Sequence, residues 1–269
     1  MKSLIRWSAT LGLVGSTILA SWFGPISKVL ALPQEEIVRT LQPVPVFTIA
    51  DEQGAPLVAV GDDNKKVTGV FISQQDAQQF FQQLQQQNPE LAQKVKVQPV
   101  SLGEVFKLVQ ANEGKSDALN VTYVPTNEEV ELAKKVMTEN GQQYQGGVPL
   151  FVARGGEEQG YLTVQQEDQQ RIPFFFEKAQ LQTMIEQFKK EQPDLASTIK
   201  IEVVPLESVI ATMEESNDEM LKRIVLVPSQ ESLEFIRTSV QNQGQNNNQE
   251  QQAPQNQPAQ QNPQNQPKK

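Results

Sequence analysis

The chain has 269 residues, with 23 basic against 32 acidic side chains and a formal net charge of −9. An acidic balance of this kind argues against a nucleic-acid partner, whose phosphates need cationic groups to displace their counterions. Histidine and cysteine are both absent, which excludes Ser-His-Asp triads, cysteine nucleophiles, imidazole bases, His-ligated zinc and disulfides.

The first element is not expected to be part of the fold. Lys2 and Arg6 precede an apolar run from Trp7 to Phe23, and Val29-Leu30-Ala31 places small residues where an export cleavage site needs them. The run is interrupted by Gly12, Gly15, Ser16 and Thr17 and falls short of a membrane span. Residues 1–31 therefore read as a signal peptide, with cleavage expected after Ala31. The other end, 241–269, is almost entirely Gln, Asn and Pro. It offers no apolar surface to offset ordering entropy and is expected to be disordered.

Between these ends the sequence repeats itself. NPELAQKVKVQPVSL, starting at Asn88, aligns without gaps on QPDLASTIKIEVVPL, starting at Gln192. The same register carries Val44-Pro45-Val46-Phe47 onto Val148-Pro149-Leu150-Phe151 and Phe71 onto Phe175. Val124-Pro125 meets Val227-Pro228 after a slip of one residue. Two copies of one unit are expected, 32–142 and 143–240.

In chain order the first copy predicts strands near 45–50, 56–61 and 67–72, a helix over 73–88 and a strand over 94–100. A helix near 101–111, a strand over 119–124 and a helix over 126–138 complete it. Ser73 and Asp76 form a capping-box-like start to the first helix, and Pro89 and Pro193 mark its exit and that of its counterpart. Its apolar stripe, Ala77, Phe80, Phe81 and Leu84, maps onto Leu181, Met184, Ile185 and Phe188, so both copies are expected to bury the same stripe. Strand-helix-strand links imply parallel pairing, whereas the opening strands suit an antiparallel meander. The fold class is α/β (mixed α+β): a duplicated pseudo-twofold body in which each half is a mixed sheet with flanking helices.

The motifs point away from catalysis. Gly146-Gly147 precedes a strand and Gly155-Gly156 lies between two, so neither opens a phosphate-binding helix; a hinge between the copies and a hairpin turn fit better. Asp51-Glu52-Gln53-Gly54 lacks the ligand alternation of a calcium loop and reads as a turn. Glu128, Glu129 and Glu131 suit the positive end of their own helix dipole. No catalytic residue, metal ligand or cofactor site is indicated.

The paired aromatics are the remaining candidates. Phe47 with Phe151, and Phe71 with Phe175, occupy equivalent positions, and strand alternation separates Phe175 from Phe174 and Phe176. Either helices cover both faces and these rings are core, or one face is an open apolar groove for polypeptide. On the second reading Phe47, Phe71, Phe151 and Phe175 are client-binding residues.

The paired VPVF and VPLF strands, GVFISQQDA, the NPELA to QPVSLGEV segment and GVPLFVAR after a Gln-rich loop resemble the Tic22 family over roughly 33–240. That family is the soluble intermembrane-space component of the chloroplast inner-envelope translocon, with cyanobacterial relatives, and it offers no catalytic motif to carry over. The export segment is unlike a Ser- and Arg-rich transit peptide and favours the cyanobacterial branch. The resemblance implies a periplasmic, non-enzymatic transport factor with chaperone-like binding of unfolded outer-membrane or translocating proteins. An Omp85-type assembly factor is an implied partner, membrane contact is peripheral at most, and the thylakoid lumen is the alternative compartment. A structural adaptor that docks on such a membrane complex without binding clients is the second reading.

Overall fold

The computed structural model describes residues 8–14, 31–60, 65–115, 118–166 and 168–239. The tail beyond these, and the expected export segment apart from 8–14 and Ala31, lie outside the described residues. The described residues up to Leu233 form one compact unit, and a second unit begins at Glu234.

Two mixed sheets organise the first unit. In the first copy, β2 (Pro45–Ala50) runs antiparallel to β4 (Lys66–Phe71) on one side and to β5 (Lys96–Ser101) on the other. β6 (Leu119–Val124) joins β4 in parallel, and the short β3 (Ala59–Val60) pairs with the start of β4. The second copy repeats this order. β7 (Pro149–Gly155) lies between β9 (Gln169–Phe175) and β10 (Lys200–Pro205), and β11 (Ile224–Val227) is parallel to β9. β8 (Gly160–Gln166) stands in the place of β3 and pairs with the ends of β7 and β9.

The agreement extends to single bonds. Leu102 N donates to Val44 O and Leu206 N to Val148 O, both at 2.8 Å. Ile72 N donates to Val124 O at 3.1 Å and Phe176 N to Val227 O at 3.2 Å. These pairs follow the sequence register, including its slip at Val227, so the duplication seen in the sequence is a duplication of backbone geometry.

Helices clothe both sheets. α2 (Gln74–Gln87) and the turn α3 (Pro89–Ala92) follow β4, and α4 (Leu102–Asn112) follows β5. α5 (Asn127–Glu139) ends the first copy. α6 (Lys178–Glu191) and α7 (Leu206–Glu215) are the counterparts of α2 and α4, and a last helix spans 230–239. Asn88 and Ser101 start their helices by accepting backbone N–H bonds from Leu91 and Gly103, satisfying donors with no partner inside the helix. One helix was not anticipated: α1 (Gln34–Leu41) lies ahead of the repeat and buries Ile37 and Leu41 against α4 and α7.

The second sheet faces two cores, one of which it shares with the first. The shared core, with Val46, Val70, Ile72, Leu150, Val152, Phe174 and Phe176, joins both copies beneath α1, α4 and α7. The opposite face of the second sheet, with Phe151, Ala153 and Phe175, packs on Leu181, Ile185 and Phe188 of α6 and on Ala133 and Val136 of α5. Thus the last helix of the first copy covers the sheet of the second. In return, the opening turn of the 230–239 helix meets the first sheet, where Ser232 Oγ donates to Pro45 O at 3.5 Å.

Candidate functional site

The four paired phenylalanines lie inside the molecule. Phe47 and Phe151 are fully buried, and Phe71 and Phe175 expose 7% and 3% of their surface. Backbone pairing sets Phe47 opposite Phe71 and Phe151 opposite Phe175. Each pair occupies the sheet face over which the helices lie, where a ring gains most by leaving water. Of the two positions open to them on sequence grounds, core or groove wall, the structure places all four in the core.

Among the described residues Val58, Val60, Leu108 and Ile236 reach solvent, and so does one aromatic ring, on the helix above the first pair. Phe80 on α2 is 43% exposed, tilted against Phe71 with ring centroids 5.4 Å apart. Phe81 and Leu84 beside it are half-buried, and Ala77 alone is sealed. In the second copy Leu181, Ile185 and Phe188 are buried, and Met184, the counterpart of Phe80, is half-buried. The expectation of one equally buried stripe in both copies therefore fails in the first. The second core also receives Leu162 and Val164 from β8, whereas β3 is two residues long and exposed.

A polar cavity of about 330 Å³ opens where the starts of α2, α5, α6 and the 230–239 helix converge. Its lining includes Asp76, Glu128, Glu129, Glu177 and Glu231. Three of these carboxylates cap helices other than their own. Glu231 Oε1 accepts from Gln75 N of α2 at 2.9 Å, Glu129 Oε2 from Lys178 N of α6 at 3.1 Å, and Glu177 Oε1 from Gln230 N at 2.9 Å. Glu129, read from the sequence as serving its own helix, thus also serves its neighbour. Only acidic residues recurring at equivalent helix starts hinted at this exchange. Ser73 behaves as its motif predicts, its Oγ accepting from Asp76 N at 3.2 Å.

Crowding carboxylates in a half-buried cavity penalises their charged forms. Burial, then the neighbouring charge of Glu231, raises the pKa of Asp76. Burial raises that of Glu129 against the opposing hydrogen bond from Lys178 N, and Glu177 behaves likewise against the bond from Gln230 N. A raised folded pKa means that the native state binds the proton more tightly than the unfolded chain, so these groups lose stability as pH rises from the ordinary carboxylate value through the folded pKa. We expect Glu129→Gln with Glu177→Gln to flatten the urea-unfolding stability in that window. The amides keep both acceptors, and solvent screening limits the change to roughly 1 kcal/mol or less. A double variant as pH-dependent there as the native chain would refute the assignment.

Among the described residues no group of acidic side chains is arranged to hold a metal ion. None of the described helices is long and apolar enough to cross a membrane.

Comparison with known proteins places this geometry. Residues 11–238 match the model of the Tic22-like family. The chain is 21% identical over 186 residues, 69% of each sequence, to protein TIC 22, chloroplastic, of Pisum sativum. Its fold matches that of Anabaena Tic22, described as a protein-transport protein, at a TM-score of 0.68 and 29% identity, covering 77% of this chain and 97% of that one. A Tic22 from Plasmodium falciparum shares the fold at a TM-score of 0.58 and 20% identity over 77% of this chain and 98% of that one. With a match that runs through both copies of the repeat, the chain belongs to the Tic22-like family.

Proposed function

We propose that this protein is a non-enzymatic transport factor that holds unfolded outer-membrane or translocating polypeptides while they cross the space between two membranes. The transport role is supported by family membership and by the likeness to Anabaena Tic22. The holding role rests on one observation, the open stripe of α2, where Phe80 with Phe81 and Leu84 offers more apolar surface than Met184, Ile185 and Phe188 at the equivalent positions of the second copy. Phe47 and Phe71 enter this reading as the support beneath the stripe, and Phe151 and Phe175 as their equivalents under α6, because a direct client contact by any of the four would require its sheet to be uncovered. The periplasm is the proposed compartment, on the strength of the export segment, and the thylakoid lumen its alternative.

An acid-base enzyme gains little from the cavity carboxylates. Glu129 and Glu177 have the raised pKa that such chemistry uses, yet both already accept backbone amides that hold helices in place. The competing adaptor reading, docking on an Omp85-type assembly complex without binding clients, is separated by measurement. Light scattering of an outer-membrane protein diluted from urea should fall when the full chain is added. Phe80→Ser should weaken that suppression several-fold while shifting the urea midpoint little, since a 43% exposed ring forfeits only part of the roughly 1.5–3 kcal/mol of full burial. No suppression by the native chain leaves the adaptor.

A further inference from the structure

Sheets rarely leave a long, flat edge unguarded, because its unpaired amides and carbonyls recruit other strands. In the second sheet β10 carries Lys200, Glu202 and Pro205, and β11 has only four residues. β8, GYLTVQQ, is seven residues long with neither charge nor proline. One of its sides pairs with β7 and β9. Along the other lies β1 (Ser8–Val14), antiparallel, with Val14 opposite Tyr161, Leu13 opposite Leu162, Gly12 opposite Thr163 and, past an irregularity, Ser8 opposite Gln165. The strand seated on this edge, SATLGLV, belongs to the segment read as an export leader.

We propose that the outer edge of β8, Tyr161–Gln165, is a strand-acceptor site for an extended, uncharged, largely apolar segment of a client polypeptide. Residues 8–14 hold that site in the full chain. Cleavage after Ala31 would remove β1 from this side of β8. The occupant rests on the client-holding function proposed above. Strands of outer-membrane barrels suit the site because they are uncharged on one face, alternate in polarity and run for about 9–11 residues. Main-chain bonding to an edge is also indifferent to most side chains, which lets one site serve many clients.

Three forms of the full chain test this. Adjacent amides of a strand point to opposite sides, so in Gly12→Pro with Leu13→Pro one proline faces β8 and breaks the ladder, releasing the edge. Ser8→Cys with Gln165→Cys closes it: opposed residues of antiparallel strands stand about 4.5–5.5 Å apart at Cα, within disulfide range, and the chain has no other cysteine. The probes are two fluorescein-labelled synthetic peptides, one with the sequence of residues 8–14 between lysines, the other a ten-residue transmembrane strand of a bacterial outer-membrane barrel. Anisotropy should show the released form binding both at least about tenfold more tightly than the oxidised form, the expected worth of one or two ladder bonds. Hydrogen exchange at 161–165 should slow in the released form when peptide is added.

Failure of the disulfide to form, equal binding by released and locked forms, or binding without protection at 161–165 would each overturn the site. So would concentration-dependent dimerisation of the released form without peptide binding, which would make the edge a contact between copies. Aggregation suppression separates the two ideas. Equal suppression by locked and released forms removes the edge from client holding but leaves that function standing. No suppression by either form, with the peptides still bound at β8, keeps the acceptor edge and removes the function.

Discussion

Replacing Phe71 and Phe175 together by serine should unfold the protein or leave it without fixed tertiary structure at neutral pH. Both rings are buried on the helix-covered faces of their sheets, Phe71 opposite Phe47 and Phe175 opposite Phe151. Truncating a buried aromatic costs about 3–5 kcal/mol, and each serine adds a hydroxyl to an apolar site. Two such losses, in separate cores and so nearly additive, reach about 6 kcal/mol or more against the 5–15 kcal/mol that stabilises a typical domain. Urea unfolding followed by near-ultraviolet circular dichroism would show the native signal gone or its midpoint greatly lowered. A midpoint close to native would mean that the rings are not core.

Gly147→Ala should be the most damaging change at the junction of the two copies. Gly147 has φ +89°, a region where any side chain is strained, and a methyl there would stand 2.6 Å from Glu207 Oε2 and 3.2 Å from Pro205 Cβ. Glu207 accepts from Val148 N at the start of the second copy, at 3.0 Å for Oε2. Alanine therefore combines backbone strain of about 1–2 kcal/mol with displacement of a carboxylate that satisfies a buried amide, for a total of about 2–3 kcal/mol. Its neighbour supplies the control. Gly146 also has positive φ, but nothing lies within 4 Å of the added carbon, so Gly146→Ala should carry the strain alone. Equal melting temperatures for the two variants would dismiss the part assigned to Glu207.

Much of this fold was legible because both periodic signals appear twice. A strand expected over 45–50 is Pro45–Ala50, a helix over 73–88 is Gln74–Gln87, and a helix over 126–138 is Asn127–Glu139. The separation of Phe175 from Phe174 and Phe176 also followed from alternation, and those residues do lie in different cores. What escaped depends on partners that periodicity does not name. The α2 stripe matches that of α6 as text, but burial depends on the core it meets, and the second core gains Leu162 and Val164 from β8 where the first has only the exposed, two-residue β3. Similarly, Glu129 at a helix start predicts a cap, but not that the capped amide belongs to Lys178 on another helix. α1 stands outside the repeat, so no second copy drew attention to it.

The loan of α5 to the second sheet bears on ancestry. A lone copy would keep its sheet but send away the helix that its twin uses, with Ala133 and Val136 left without the Phe151 and Phe175 face they seal. Such a unit could complete itself only by pairing with an identical chain, each lending a helix to the other in the manner of a domain-swapped dimer with twofold symmetry. Fusing two copies turns that encounter into one within a single molecule, at an effective concentration set by a short linker and not by the amount of protein in the compartment. Freed from self-complementarity, the two sheets could then diverge, and the difference between a two-residue β3 and a seven-residue β8 is a divergence that a symmetric homodimer could not have kept.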